Sequence, residues 1–111
     1  MNREGRVFNN GQLAGILAES DSGYSFVYDL KYLADSRAKA ICFAMPKRSE
    51  HYSSHQLFPF FHGLLAEGVT KELQCRTLRI DEQDYFGRLL RTAHSDVIGS
   101  ITVESNHEPK P

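Results

Sequence analysis

Two histidines have a residue type and spacing that would suit a metal-binding site. His51 and His55 lie four residues apart, which is the spacing of a metal-binding pair on one face of a helix. Their segment reads as a polar loop, however, and neither a third histidine nor a cysteine lies close to it. The pattern therefore predicts solvated histidines rather than a metal site.

A second candidate is the stretch of residues 63–70. Gly63, Gly68 and Thr70 have the spacing of a phosphate-binding loop, in which glycines let backbone N–H groups surround a phosphate. Val69 stands where that loop needs lysine, and the apolar residues recur at helical spacing where a strand should precede it. We interpret the match as accidental and expect no bound nucleotide.

The cysteines and the clustered acids also lack catalytic partners. Cys42 and Cys75 each lie within an apolar segment without a nearby histidine, so we expect buried, free thiols. Asp81 and Asp84 lie at a predicted helix start, where the helix dipole favours negative charge. The sequence therefore predicts no catalytic group, no cofactor and no enzymatic activity.

The first half of the chain predicts β-strands. Asn10 and Gly11 suit the positive φ angles of a tight hairpin turn within residues 6–17, and Gly15 indicates a bulge or a close backbone approach. A second turn is expected at residues 20–23. The next strand is predicted from aromatic residues in strict alternation, Tyr24, Phe26 and Tyr28.

Less regular elements follow this strand. Asp29 is placed to cap a short turn over residues 30–33, and residues 34–39 read as a loop. A further strand is predicted from the alternating residues Ile41, Phe43 and Met45, ended by Pro46. Residues 47–54 read as a polar connection.

The second half predicts three helices and a returning strand. The first helix should begin near Leu57 or Phe58, with Pro59 in its first turn and Gly63 inside it. The second should start at Thr70 and carry apolar residues at Leu73 and Leu78. The third is expected where Asp81 and Asp84, three residues apart, resemble a capping pair, and it should bury Phe86, Leu89, Leu90 and Ala93. The β-branched residues at 97–103 predict the last strand.

This order predicts an α+β fold, with a small, mostly antiparallel sheet packed with about three helices. We expect one domain over residues 1–104, followed by a disordered polar tail at 105–111.

The 111 residues are 41% hydrophobic and carry a net charge of -1. This balance disfavours a broad electrostatic contact with nucleic acid. The N-terminus lacks the apolar region of a signal peptide and no apolar run is long enough to span a membrane, so we expect a cytoplasmic protein.

One binding alternative remains open from the residues alone. Aromatic residues on one strand resemble the stacking platform of an RNA-binding sheet, and basic residues on the predicted helices would complete it. The basic residues are Lys71, Arg76, Arg79, Arg88 and Arg91. We favour the reading in which the aromatics form the core and the arginines are solvated, because the strand has no other face to bury.

Several segments, in order along the chain, resemble the N-terminal subdomain of HipA-type serine/threonine kinases. They cover about residues 6–104, and the most specific is Leu57-Phe58-Pro59-Phe60-Phe61-His62-Gly63-Leu64-Leu65-Ala66-Glu67-Gly68. The other segments are Asn10 to Gly15, Tyr24 to Asp29, Tyr32 to Ala34, Ala44 to Pro46 and Asp96 to Val103. The kinase motifs of that family are missing from this sequence.

A separate copy of this subdomain is similar to the HipS group of the tripartite HipB–HipS–HipT toxin–antitoxin systems. The resemblance implies a partner, a HipT-like kinase toxin that the chain binds and restrains, and a HipB-like helix-turn-helix DNA-binding protein in a ternary complex. Direct contact with nucleic acid or a membrane is not expected. The residues expected to contact the kinase are Phe61, Leu65, Glu67, Gly68, Val69 and Thr70.

Overall fold

A computed structural model describes residues 3–93 and 100–105, and within them the chain forms a five-stranded antiparallel sheet and four helices. The strands follow the order β4-β3-β2-β1-β5 across the sheet, so that the last strand lies beside the first. This arrangement confirms the predicted α+β class. The strands are β1 (Glu4–Asn9), β2 (Gln12–Ser20), β3 (Gly23–Tyr28), β4 (Tyr52–Ser54) and β5 (Ile101–Ser105). The helices are α1 (Leu30–Ala34), α2 (Pro59–His62), α3 (Gly68–Leu78) and α4 (Tyr85–Thr92).

The N-terminal hairpin turns where the sequence predicts it. Asn10 and Gly11 have φ angles of 52° and 82°, the left-handed values that the two-residue turn requires. Val7 pairs with Gly15, but Phe8 pairs with Leu13, so one extra residue bulges from β2. The expected bulge and the predicted turn are both confirmed.

β3 leaves no room for a side chain at Gly15 of β2. A Cβ atom there would lie 2.3 Å from the carbonyl oxygen of Val27 and 2.7 Å from Cζ of Phe26. We therefore expect Gly15→Ala to lower the free energy of unfolding by about 2 kcal/mol, because an overpacked interior must shift. Urea unfolding measures this loss. The control is Gly63→Ala, whose new Cβ has its nearest neighbours at 3.4 Å; equal losses in the two variants would contradict the argument.

The core lies between the inner face of the sheet and the helices. Its strand residues include Val7, Leu17 and Phe26, and its helix residues include Phe61 and Phe86. The alternating aromatics of β3 supply three of its rings: Phe26 and Tyr28 are buried, and Tyr24 packs at the edge, 5.9 Å from the ring of Phe86. Burial of these side chains is the dominant stabilising contribution to the fold.

The predicted strand over Ile41 to Met45 is wrong. These residues form a turn, in which the Met45 amide donates to the Cys42 carbonyl at 3.2 Å. The hydroxyl of Tyr28 accepts from the amide of Ile41 at 3.1 Å and donates to the carbonyl of Met45. Because a side chain satisfies these backbone groups, the segment needs no neighbouring strand. The sheet is extended instead by β4, within the predicted polar connection, where Tyr52 pairs with Phe26.

The helices begin near the predicted positions but differ in length. Phe58 precedes α2 and Pro59 opens it, as expected. The helix ends at His62, before Gly63, instead of continuing through it. The following turn is held by hydrogen bonds between residues three apart, such as that from the Leu64 amide to the Phe61 carbonyl at 3.1 Å. Glycine is a poor helix former, which explains this early end. The second helix starts at Gly68, two residues before the predicted Thr70.

Aspartates cap the other two helices, but in α4 Asp84 is itself the N-cap residue rather than the second member of a capping pair with Asp81. Asp29 accepts from the amides of Lys31 and Tyr32 at the start of α1, and Asp84 accepts from the amide of Gly87 in α4. The last strand ends at Ser105, one residue into the predicted tail. The predicted start of that strand at residues 97–99 and the rest of the tail lie outside the described residues.

Arg3 connects the start of α4 to the sheet. Its guanidinium donates to both oxygens of Glu19, at 2.7 and 2.9 Å, and to both oxygens of Asp84, at 2.8 and 3.1 Å. The hydrogen bond from Arg3 is the main reason why the pKa of Asp84 lies below its ordinary value. The ion pair thereby links the N-terminal residues to the helical layer.

This ion pair makes part of the stability depend on pH. The pKa of Asp84 is lower in the folded than in the unfolded chain, so its charged form stabilises the fold at neutral pH. That contribution disappears as the pH falls through the folded-state pKa. Asp84→Asn keeps a capping oxygen but removes the charge. We expect it to be less stable than the parent at pH 7, with a gap that closes below about pH 4. Urea unfolding across this range measures the gap, and a constant gap would contradict the prediction.

Candidate partner-binding surface

The segment predicted to contact a partner divides into a buried and an exposed part. Phe61 and Leu65 are core residues, so in this conformation they support the segment rather than present it. Glu67, Gly68, Val69 and Thr70 are exposed and form the turn that leads into α3 and its first residues. Hereafter the 67–70 loop denotes these four residues.

Gly68 sets the direction in which the loop enters the helix. Its φ angle is 63°, in the left-handed region that residues with a Cβ rarely adopt. A Cβ atom at this position would meet nothing within 4 Å. Glycine is therefore favoured here by backbone conformation and not by lack of space, and it fixes where the Val69 side chain emerges.

Helix α3 exposes two of its apolar residues. Val69 is 69% exposed and Leu73, one helical turn later, is 56% exposed. Cys75 is buried, as predicted, and it is the one buried residue of α3, which lies wholly within the described part of the chain. Leu73, which the sequence places on this helix, therefore lies at the surface. The exposed pair Val69 and Leu73 is called the α3 ridge below.

Arg88 holds the backbone next to the loop. Its Nη2 donates to the carbonyl of Ala66 at 2.8 Å and its Nη1 donates to the carbonyl of Glu82 at 3.1 Å. The side chain is only 5% exposed, so the prediction that it is solvated is wrong. Charged donors make strong hydrogen bonds, and this one fixes Ala66 directly before the 67–70 loop.

A groove of about 450 Å³ separates the loop from the segment that enters α4. Lys71 and Glu82 form an ion pair of 3.3 Å, and the ring of His62 lies edge-on against Tyr85, 5.0 Å away. The groove is lined by His62, Glu67, Gly68, Lys71, Glu82 and Arg88, among others. Such a lining offers shape and polar contacts to a bound protein surface.

The other candidates from the sequence are dispersed. His51 and His55 are exposed, and Nδ1 of His55 lies 3.2 Å from the carbonyl oxygen of Ser22. Within residues 3–93 and 100–105, the structure contains no group of three His, Cys, Asp or Glu side chains that would hold a metal ion. Over the same residues, every helix is too short or too polar to cross a membrane.

The aromatic face proposed for RNA stacking faces the core. Phe26 and Tyr28 are buried beneath the helices, and burial raises the pKa of Tyr28 to about 12. Arg76, Arg79 and Arg91 are exposed, as predicted. Because a base cannot stack on a buried ring, this strand provides no platform for RNA.

Comparison with known proteins gives consistent results. The model of the family described as the HipA N-terminal domain matches residues 5–104. A solved structure of the N-terminal domain of HipA toxin superposes with a TM-score of 0.70 and 28% sequence identity, covering 96% of this chain and 95% of that one.

Two curated proteins are also similar. An uncharacterized protein of Haemophilus influenzae is 29% identical over 106 residues, which are 96% of this chain and 95% of the relative. A protein of Sinorhizobium fredii named "Putative kinase Y4mE" is 29% identical over 100 residues, which are 86% of this chain but 24% of that protein.

The fold and the comparisons agree on a small α+β domain of one type. Since the family model covers nearly the whole chain, this protein belongs to the HipA N-terminal domain family. The similarity is to that domain and not to a kinase domain.

Proposed function

We propose that this chain is a non-catalytic subunit of a cytoplasmic toxin–antitoxin system, which binds a HipT-like serine/threonine kinase toxin and restrains its activity. A HipB-like helix-turn-helix protein would complete the complex and supply the contact with DNA. The observation that carries the proposal is the exposed α3 ridge on a domain of the HipA N-terminal family.

The relatives support a protein partner. A domain of this type is about a quarter of the length of one relative and nearly the full length of another. Within the longer protein, part of its surface must pack against the rest of the chain. A separate domain that keeps this surface would use it to bind another protein, with a typical interface of roughly 800 Å² per partner.

The packing of α3 supports the proposal that this helix is part of the binding surface. Isolated helices shorter than about 12 residues are marginal in water, so helices of this length depend on tertiary contacts. This helix has 11 residues and buries only Cys75 within the described chain. A kinase that covers Val69 and Leu73 would add the missing contacts and gain apolar burial.

Restraint follows if the bound loop favours one state of the kinase. We expect the 67–70 loop to contact the kinase near its nucleotide or substrate cleft. A ligand that binds an unproductive conformation more tightly shifts the population toward it. In this mechanism no catalytic group of the bound chain takes part.

The test is a titration of a HipT-like kinase with this chain. Binding is measured by isothermal titration calorimetry, and kinase autophosphorylation is measured at each ratio of the two proteins. We expect a saturable fall in activity with the same midpoint as binding. Absence of a complex would contradict the proposal, and binding with unchanged activity would contradict the restraint.

A further inference from the structure

The turn at Ile41 to Met45 carries the most exposed large apolar side chain of the described residues. Phe43 is 102% exposed, while its neighbours Ile41 and Met45 are buried. The ring is therefore as accessible as in an unfolded peptide, although it lies between two core residues. Among the described residues, a ring this exposed buries no surface against the core.

The turn that presents Phe43 is held at both ends. The Tyr28 hydroxyl bonds to the Ile41 amide and to the Met45 carbonyl, and Tyr28 itself is buried. A tyrosine hydroxyl is protonated at neutral pH, so it donates one of these hydrogen bonds and accepts the other. Nζ of Lys47 donates to the carbonyls of Asp35 and Ala38, at 2.9 and 2.8 Å, which ties the preceding loop to the same region. A rigid support lowers the entropy cost when such a side chain binds.

Charge around the turn differs from the rest of the chain. Residues 29–48 contain five basic and two acidic residues, a net charge of +3, whereas the whole chain has a net charge of -1. Leu30, 76% exposed, adds apolar surface in the same segment. The basic residues are Lys31, Arg37, Lys39, Lys47 and Arg48. An apolar side chain within a basic segment is complementary to an apolar pocket with an acidic rim.

We propose that Phe43 is an anchor residue that inserts into an apolar pocket with an acidic rim on the kinase partner. The inference rests on the proposed function and adds a contact separate from the 67–70 loop. The Phe43 turn is bonded to Tyr28 at the end of β3. The 67–70 loop is instead supported by α4, through Arg88, and α4 packs against Tyr24 at the beginning of β3. Two separate contacts would fix the orientation of the domain on the kinase.

A protein pocket is favoured over nucleic acid by the surroundings of the ring. Single-stranded nucleic acids are bound by several aromatic side chains on which successive bases stack. Among the described residues, Phe43 is the one aromatic side chain in the group of exposed large apolar residues, which also contains Leu30, Val69 and Leu73.

The experiment compares the parent chain with Phe43→Ser in calorimetric titrations of the HipT-like kinase. We expect a Kd about 30-fold higher for Phe43→Ser, because an apolar ring leaves a pocket. The melting temperature should be unchanged, since the ring contributes nothing to the folded core. The matched control Ala44→Ser changes the exposed neighbour on the same turn and should alter the Kd by less than about twofold.

Two further measurements define the partner surface. Lys39→Glu reverses one basic charge and should raise the Kd for the kinase about fivefold if the pocket has an acidic rim. An unchanged Kd would overturn the acidic rim. The alternative partner, nucleic acid, is tested by measuring how the parent chain and Phe43→Ser bind to a single-stranded oligonucleotide. If Phe43→Ser weakens oligonucleotide binding and leaves kinase binding unchanged, the assignment to the kinase is overturned.

The outcomes also separate this inference from the proposed function. If the parent binds the kinase and Phe43→Ser binds equally well, the anchor role is overturned and the proposed function stands. If the parent does not bind the kinase, both are overturned.

Discussion

Val69→Asp is expected to abolish most of the restraint on a HipT-like kinase. Val69 is exposed in the free chain, so the substitution should leave the fold intact. In the complex it would place a carboxylate in an apolar contact, where an unpaired charge is costly to desolvate. We expect at least about a 100-fold rise in Kd, equal to about 2.7 kcal/mol. The measurement is kinase activity titrated with the variant.

Two further variants make this result specific. Val69→Ala removes only a small apolar contact and should weaken restraint by about tenfold at most. Asn10→Asp adds the same charge at the distant hairpin turn and keeps a residue type that suits it, so it should inhibit like the parent. If Val69→Asp inhibits as well as Asn10→Asp, the 67–70 loop is not the contact.

Arg88→Met is expected to give the largest loss of stability. The variant keeps an apolar stem but leaves the Ala66 and Glu82 carbonyls without their charged donor. Hydrogen bonds from charged groups contribute about 1.5–3 kcal/mol each, so we expect a loss of about 3–4 kcal/mol. For a domain of this size the melting temperature should fall by about 15 °C.

Arg76→Met is the control for this prediction, because Arg76 is an exposed arginine on the neighbouring helix. It should change the free energy of unfolding by less than about 0.5 kcal/mol. Arg88→Lys should recover part of the loss, since one ammonium can reach one of the two carbonyls. Equal melting temperatures for the Arg88 and Arg76 variants would show that the buried guanidinium does not support the loop.

Local signals in the sequence were sufficient for much of the fold. Asn10-Gly11 encodes its turn through backbone conformation, and Asp84 encodes a helix start through its own side-chain acceptor. The alternation of Tyr24, Phe26 and Tyr28 gives the strand and its buried face together. In each case the decisive interaction lies within a few residues, so a short window contains the information.

The incorrect elements depend on distant contacts. The alternation of Ile41, Phe43 and Met45 predicts a strand, but the hydroxyl of Tyr28, remote in sequence, takes the backbone bonds instead. β4 has only three residues, and its pairing with β3 is what makes it a strand. Residue propensity and periodicity depend on neighbouring residues, so they cannot predict hydrogen bonds to residues far away in the sequence.

The candidate surface was predicted in part. Family resemblance pointed to Glu67 and Gly68, and the structure places both at the surface. Sequence reasoning missed the buried role of Arg88, because an arginine on a helix is most often solvated. It also missed the exposure of Phe43 and Leu73, since apolar residues at regular spacing are usually assigned to the core.

The pairing of the first strand with the last has a consequence during protein synthesis. Gly5 pairs with Ser105, so one edge of β1 stays open until the ribosome has made nearly the whole domain. At roughly 5–20 residues per second, this interval lasts on the order of 5–20 s. An open strand edge is a template for intermolecular pairing. Translation speed and chaperone access in this interval should therefore govern the yield of native protein, and a partner that binds only the finished domain cannot act before β5 has emerged.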